Sequence, residues 1–305
     1  MKAEFRTPMS KNRKPLIDLL PLKAPLTIYI DPSSICNFAC KFCFQANKKI
    51  KKQMHLKLMT IEIFESVVEQ LGEFEDSIKM IHLHGFGEPL LNKDFHKMVK
   101  MLKDSNLVNR VATTTNASLL TKEYTHKIID SKLDQIHFSI YGLNDKNYLD
   151  FSNKLVSFQN IVENIKYFYQ NKQNCHIHIK ISGDYFSNED KERFLDIFGD
   201  YCDSIFIDGA ANIWPLIDIS NTLSINLSKE QKQNAELKHQ YGYIKNTKDN
   251  LCPNIFYQLM IHSNGNISPC CADYLNKISL GNIKTHNLKA IWGGGITIEA
   301  NKKAS

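Results

Sequence analysis

Six short stretches of the chain read as strands, several of them alternating apolar and polar residues with a period of two, and helical periodicity fills the intervals between them. The strand-like stretches are LTIYID (26–31), IKMIHLHG (78–85), LVNRVATTT (107–115), QIHFSIYG (135–142), HIHIKIS (176–182) and SIFID (204–208). Their enrichment in β-branched and aromatic residues fits a pleated surface. Helices are expected at 61–72, 94–103, 121–130, 158–171 and 188–198, with Thr60, Thr121 and Ser187 placed as caps for three of them. Strands that alternate with helices in this way predict parallel pairing and right-handed crossovers, hence an α/β fold.

The two faces of these strands differ. Ile28, Ile30, Ile81, Leu83, Ile136, Phe138, Ile140, Ile177, Ile179, Ile181, Ile205 and Ile207 share the parity expected to meet the helices. The opposite parity carries Tyr29, Asp31, His82, His84, Arg110, Thr114, Asn116, His137, Ser139, Tyr141, His176, His178, Lys180 and Asp208. Parallel strands covered on both faces usually read as continuous apolar runs. A polar inner face therefore points to a barrel or partial barrel around a polar ligand, the alternative being an open sheet with one solvated face.

Beyond residue 210 both periodicities fade, and 211–250 reads as an irregular linker. LCPNIFYQLMIHSNGNISPCCADY (251–274) then predicts two short strands around a turn at Asn264-Gly265-Asn266, bracketed by Cys252 and the pair Cys270-Cys271. The expected organisation is a basic extension at 1–25, an α/β core at 26–210, the linker, and a small cysteine-bearing module at 251–305.

Composition narrows the class. Across 305 residues, 43% hydrophobic and 23% charged residues exclude disorder and fibrous repeats. The net charge of +6 is local, because residues 1–60 hold 12 Lys or Arg against 3 Asp or Glu. The clusters KNRK (11–14) and KKIKKQ (48–53) read as solvated basic surface, and with no RNA-binding motif nucleic acid is not an expected partner. Neither a secretory leader nor a membrane span is visible, so the expected compartment is a reducing cytoplasm. There, eight cysteines serve as metal ligands, catalytic thiols or core residues.

Three of them, Cys36, Cys40 and Cys43, follow the first strand within S-S-I-C-N-F-A-C-K-F-C-F. A redox dithiol needs two thiols and a structural zinc site four. Three soft ligands in one short loop suit a 4Fe-4S cluster with one iron left open. This C-x3-C-x2-C loop resembles the cluster-binding loop of the radical S-adenosylmethionine (radical SAM) superfamily, and Phe42 matches the aromatic residue that packs near the adenine in that family. His84-Gly85-Phe86-Gly87-Glu88-Pro89 resembles the family's GGEP motif. As a phosphate loop it is poor, being acidic and lacking Gly-Lys-Ser/Thr. Its glycines are expected to let backbone approach the ligand, and Glu88 to meet an amino group. Thr113-Thr114-Thr115-Asn116 resembles a T-N-G segment with Ala117 in place of glycine, and Ser139 lies in a segment similar to S-I-D-G.

The resemblance implies a partial (β/α)6 TIM-like barrel in which Cys36, Cys40 and Cys43 hold the cluster. Phe42, Gly85, Gly87, Glu88, Pro89, Asn116 and Ser139 would surround S-adenosylmethionine. It further implies reductive cleavage of that cofactor to a 5′-deoxyadenosyl radical, hydrogen abstraction from a peptide or small polar, sugar-like substrate, and an electron donor such as flavodoxin or ferredoxin. RNA modification and a non-catalytic iron–sulfur scaffold are the alternatives. Cys252, twelve further residues, Gly265, four more and Cys270 resemble the opening of SPASM or twitch domains. This implies an auxiliary 4Fe-4S cluster on Cys252, Cys270 and Cys271, one ligand short of a closed set. Cys175 and Cys202 have no spacing partner and are expected in the core, and His176 and His178 are expected as neutral hydrogen-bonding residues.

Overall fold

A computed structural model describes residues 1–6, 14–183, 186–209, 214, 217 and 252–294. Most of the basic KNRK cluster, nearly all of the expected linker and the end of the tail lie outside the described residues.

The strands are β1 (Glu4–Phe5), β2 (Thr27–Ile30), β3 (Met80–Leu83), β4 (Val111–Thr115), β5 (Gln135–Ile140), β6 (His176–Ser182), β7 (Ser204–Asp208), β8 (Gln258–Ile261), β9 (Asn266–Ser268) and β10 (Gly281–Asn282). They form one sheet in the order β1-β7-β6-β5-β4-β3-β2-β8-β9-β10. Pairing is parallel from β1 through β8 and antiparallel from β8 to β10. Strands β2 to β7 lie side by side in chain order, each joined to the next through helix, which is the expected partial (β/α)6 barrel.

The helices are α1 (Lys48–Lys51), α2 (Ile61–Leu71), α3 (Phe95–Ser105), α4 (Lys122–Asp130), α5 (Asp145–Ser152), α6 (Phe158–Asn171), α7 (Asn188–Phe198) and α8 (Leu288–Trp292). Thr60 and Thr121 cap α2 and α4 by accepting from Ile63 and Tyr124 N–H, and Ser187 forms a reciprocal box with Asp190. The strand parity holds: Ile28, Ile30, Ile81, Leu83, Ile136, Phe138, Ile177, Ile179 and Ile205 are fully buried against the helices. Each such side chain contributes about 1.5–3 kcal/mol of transfer free energy.

Two carboxylates lock the barrel floor in the same manner. Asp134, just before β5, accepts from Val111 N–H at the start of β4 and from Lys103 at the end of α3. Asp203, just before β7, accepts from Ile177 N–H in β6 and from Lys172 after α6. Each satisfies an edge amide that the ladder leaves free.

Three features depart from the sequence pattern. The strand expected from 107 begins only at Val111, because Asn106 takes a left-handed turn (φ 58°) and Val108 makes only an isolated bridge to Ile78. Helix α5 has no sequence counterpart; it is short and polar, started by Asn144, whose side chain accepts from Asn147 N–H. Glu4–Phe5 of the expected extension pairs with β7, and Ala3 is buried. The C-terminal hairpin also extends the barrel sheet, since β8 pairs with β2 from Thr27↔Gln258 to Ile30↔Ile261. Cys175 and Cys202 are buried as expected.

Candidate active site

The loops after β2, β3 and β4 interlock at the carboxyl ends of the strands. Asp31 closes β2; it is 1% exposed and its Oδ1 accepts from Phe86 N–H at 3.0 Å. Gln45 donates through Nε2 to the Ser34 and Phe86 carbonyls, 2.9 Å each, tying the cysteine loop to the Gly85–Pro89 turn. The glycines serve that contact. A Cβ on Gly87 would stand 2.2 Å from the Ile35 carbonyl oxygen and 2.3 Å from that of Ser33, and one on Gly85 would meet Asp31 at 2.7 Å. Contacts within the protein, the Asp31 side chain at Gly85 and the cysteine-loop backbone at Gly87, account for the glycines.

Glu88 is the hub of the second and third loops. Its Oε1 accepts from the Thr115 hydroxyl (2.6 Å) and Leu90 N–H (3.1 Å), and its Oε2 from Asn116 N–H (2.8 Å). Three donors occupy the carboxylate that the sequence assigns to an amino group, so its evident task is to fix the end of β4. Asn116 passes the order on: its Nδ2 donates to Asn37 in the cysteine loop (2.9 Å), and its Oδ1 accepts from Ser118 N–H and hydroxyl. Ala117, at the position of the missing glycine, adopts φ 61° and is fully buried. The left-handed turn is kept at a cost of about 1–2 kcal/mol.

Burial pushes both Asp31 and Glu88 up to about 7, against hydrogen bonds that favour their anions. Between their unfolded values, 3.8 and 4.5, and about 7, the folded chain binds protons that the unfolded chain has released. Their own contribution therefore falls as pH rises through this window and levels off above it. His82, His178 and His262, lowered by burial to about 4, and His137, lowered to about 3, act in the opposite sense up to their unfolded value of 6.5, because there the unfolded chain holds protons that the folded chain does not. At about 1.4 kcal/mol per unit, the four histidines outweigh the two carboxyls, and the cluster-free protein should show a higher urea midpoint at pH 7.5 than at pH 5.

A cavity of about 240 Å³ lies against these loops. Cys36, Cys40 and Cys43 all line it, together with Phe42, Gly85, Gly87, Glu88 and Asn116. Pro89 and Ser139 do not: Pro89 begins a buried 3₁₀ turn behind Glu88, and Ser139 is 7% exposed in β5. His84, Gln45 and Tyr141 join the lining. The first and last sit on the polar parity, whereas nothing in the sequence singles out Gln45. Phe42 stacks on Tyr141, with ring centroids 5.8 Å apart and planes at 25°. Burial raises the three cysteine thiols, Cys36 to about 12 and Cys43 to about 11, with Cys40 held well above its usual value.

The donor set suits an iron–sulfur cluster: three soft thiols from one short loop line one cavity, and each thiolate could take its own iron.

The C-terminal module packs against this centre. Cys252, Cys270 and Cys271 are half-buried, and burial raises the Cys270 and Cys271 thiols. Phe44, next to Cys43, stacks on Tyr274 at 4.3 Å with planes 2° apart, and Trp214 packs edge-on against Phe44. Ser34 and Ser263, the latter in the β8–β9 turn, share a hydrogen bond of 2.7 Å.

Known proteins resemble this chain. The radical SAM superfamily profile matches residues 30–198, and the profile of SPASM, an iron–sulfur cluster-binding domain, matches residues 252–301. The chain is 33% identical over 113 residues to a probable GTP 3′,8-cyclase of Methanococcus maripaludis strain C5, a stretch covering 37% of this chain and 35% of that protein. It is 32% identical over 119 residues to a GTP 3′,8-cyclase of Alkaliphilus metalliredigens, covering 39% and 36%. The chain thus spans about a third of the length of these curated relatives. Among solved structures, Streptococcus suis SuiB bound to S-adenosylmethionine superposes with a TM-score of 0.64 at 19% identity, covering 91% of this chain and 67% of SuiB. AnSMEcpe with bound AdoMet gives 0.59 at 19% identity, covering 91% and 81%. These likenesses are of fold.

Proposed function

The chain belongs to the radical SAM superfamily, and on that footing we propose that this enzyme takes a hydrogen atom from a peptide or a small polar, sugar-like substrate after reductive cleavage of S-adenosylmethionine. The observation that carries the reading is the gathering of Cys36, Cys40 and Cys43 with Phe42, Glu88 and Asn116 around one cavity. A 4Fe-4S cluster on the three thiolates would supply the electron for that cleavage, with flavodoxin or ferredoxin as its source.

The chain's own residues orient and enclose. The stacked Phe42 and Tyr141 offer a flat aromatic wall for the adenine. Glu88, through Thr115 and Asn116, holds the polar wall at a set distance from the cysteine loop by way of Asn37. Phe44, Phe86 and Trp214 line the same cavity and exclude water from it. A nucleoside triphosphate, the substrate that the curated relatives' names indicate, would find neither Lys nor Arg among the described residues of this lining.

Anaerobically reconstituted protein, given S-adenosylmethionine and dithionite, should form 5′-deoxyadenosine detectable by mass spectrometry. Reconstituted protein that binds iron yet forms none would sink the reading. The SPASM match supports an auxiliary cluster on Cys252, Cys270 and Cys271. Iron analysis of the Cys36/Cys40/Cys43→Ala triple variant should then find about four irons per chain, whereas none would exclude that cluster.

A further inference from the structure

The inward face of the sheet below the cysteine cavity carries polar side chains that the proposed reaction leaves unused. Pairing places His137, His178 and Ser204 in one row and Ser139, Lys180 and Phe206 in the next row toward the carboxyl ends. A second cavity, of about 620 Å³, opens at the amino ends of the strands with His137, His178, Ser204 and Arg110 in its wall, and Lys180 stands one row above it on the same inward face.

The hydrogen bonds here stop short. The Ser204 hydroxyl lies 2.9 Å from His176 Nε2 and 2.9 Å from His178 Nδ1. His178 is 1% exposed, and its Nε2 has no partner. A buried imidazole nitrogen left in that state is costly unless something meets it. The row is consistent when His176 Nε2–H donates to Ser204, the Ser204 hydroxyl donates to His178 Nδ1, and His178 Nε2–H points onward as a donor. Burial, reinforced by neighbouring positive charge, lowers His137 to about 3 and His178 to about 4, so both rings are neutral at pH 7.

The charges are also unbalanced. Half-buried Lys180 makes no hydrogen bond or ion pair with any described residue, nor does the Arg110 side chain at the cavity rim. The nearby carboxylates have other partners: Asp134 pairs with Lys103 at 2.7 Å, Asp203 with Lys172 at 2.6 Å and Glu4 with Arg6 at 2.8 Å, while Asp208, one row above Lys180, accepts from Gly209 N–H at 2.9 Å and forms no ion pair with Lys180. A lumen with an uncompensated ammonium and a buried, unused donor suits an anion.

We infer that the lumen binds a single oxyanion of the substrate, a carboxylate or a phosphate monoester, with the Lys180 ammonium as counter-charge and His178 Nε2–H as a hydrogen-bond donor. This deepens the reading of the enzyme's substrate and rests on that reading for the barrel lumen being the substrate's place. One ammonium on the inward face matches one carboxylate or phosphate group.

The test uses reconstituted full-length protein and two probes, inorganic phosphate and succinate, titrated calorimetrically. Wild-type protein should bind at least one probe, and the stronger arm identifies the oxyanion. Lys180→Met should weaken that binding at least about tenfold, while Lys180→Arg should keep it within about threefold. Lys180→Gln replaces the methionine variant if the latter does not fold. Equal affinity in wild type and in the neutral variant overturns the inference, as does wild-type protein that binds neither probe. S-adenosylmethionine titrated into the same wild-type sample reports separately on the proposed reaction, so the two readings fail independently.

Discussion

Reconstituted Cys40→Ala protein, supplied with S-adenosylmethionine and dithionite, will form 5′-deoxyadenosine more than about a hundredfold more slowly than wild type, since that is the most that loss of an outer-shell partner alone costs a metal site. Cys40 is the deepest of the three thiols, at 7% exposure, and burial holds it protonated in the metal-free chain. A buried thiol of that kind packs as a small hydrophobe, and if packing were its whole role the change to alanine would cost little activity. Cys175→Ala is the control: Cys175 is 6% exposed in the core and away from the cavity. The cysteine-loop assignment requires the two variants to separate, by product formation and by the cluster's visible absorbance. Equal rates would mean that Cys40 only packs.

Gly87→Ala is expected to be the most damaging single methyl in the molecule. Its Cβ would lie 2.2 Å from the Ile35 carbonyl oxygen and 2.3 Å from that of Ser33, and both are backbone atoms that no rotamer change can move. Either the cysteine loop or the Gly85–Pro89 turn must shift, breaking the Glu88 N–H to Ile35 carbonyl bond (2.9 Å) and drawing Gln45 off its two carbonyls. Overpacking against fixed backbone costs about 3 kcal/mol or more. Thermal denaturation should show a clear loss of stability, and iron content after reconstitution should fall with it because Cys36 lies one residue beyond the displaced carbonyl. An alanine variant with wild-type melting and iron content would show that the two loops do not need the close contact.

Much of this was legible without coordinates. The period-two strands with helical intervals, and their division into an isoleucine-rich and a histidine-rich face, follow from spacing alone because a parallel strand presents alternate residues to opposite sides. Likewise Cys36, Cys40 and Cys43 are close in sequence, so one loop brings them together and local spacing announces them. Gly85 and Gly87 were visible as glycines but not for their reason, which is the Asp31 side chain pressed against the first and the cysteine-loop backbone against the second. Glu88 was visible as an acid, whereas its three donors come from Leu90, Thr115 and Asn116, two of them on a different strand.

The chain's order of residues settles the fold class, the polar inner face and the three-thiol loop, since each depends on periodicity or on neighbours a few positions apart. Folding in three dimensions settles what those residues do to one another. It sets Glu88 to bracing β4 against the cysteine loop, joins β8 to β2, moves Ser139 and Pro89 out of the cavity wall, and leaves Lys180 unpaired above His178. These are contacts between positions far apart in the chain, where burial, register and the supply of hydrogen-bond partners are properties of the assembled sheet and its loops.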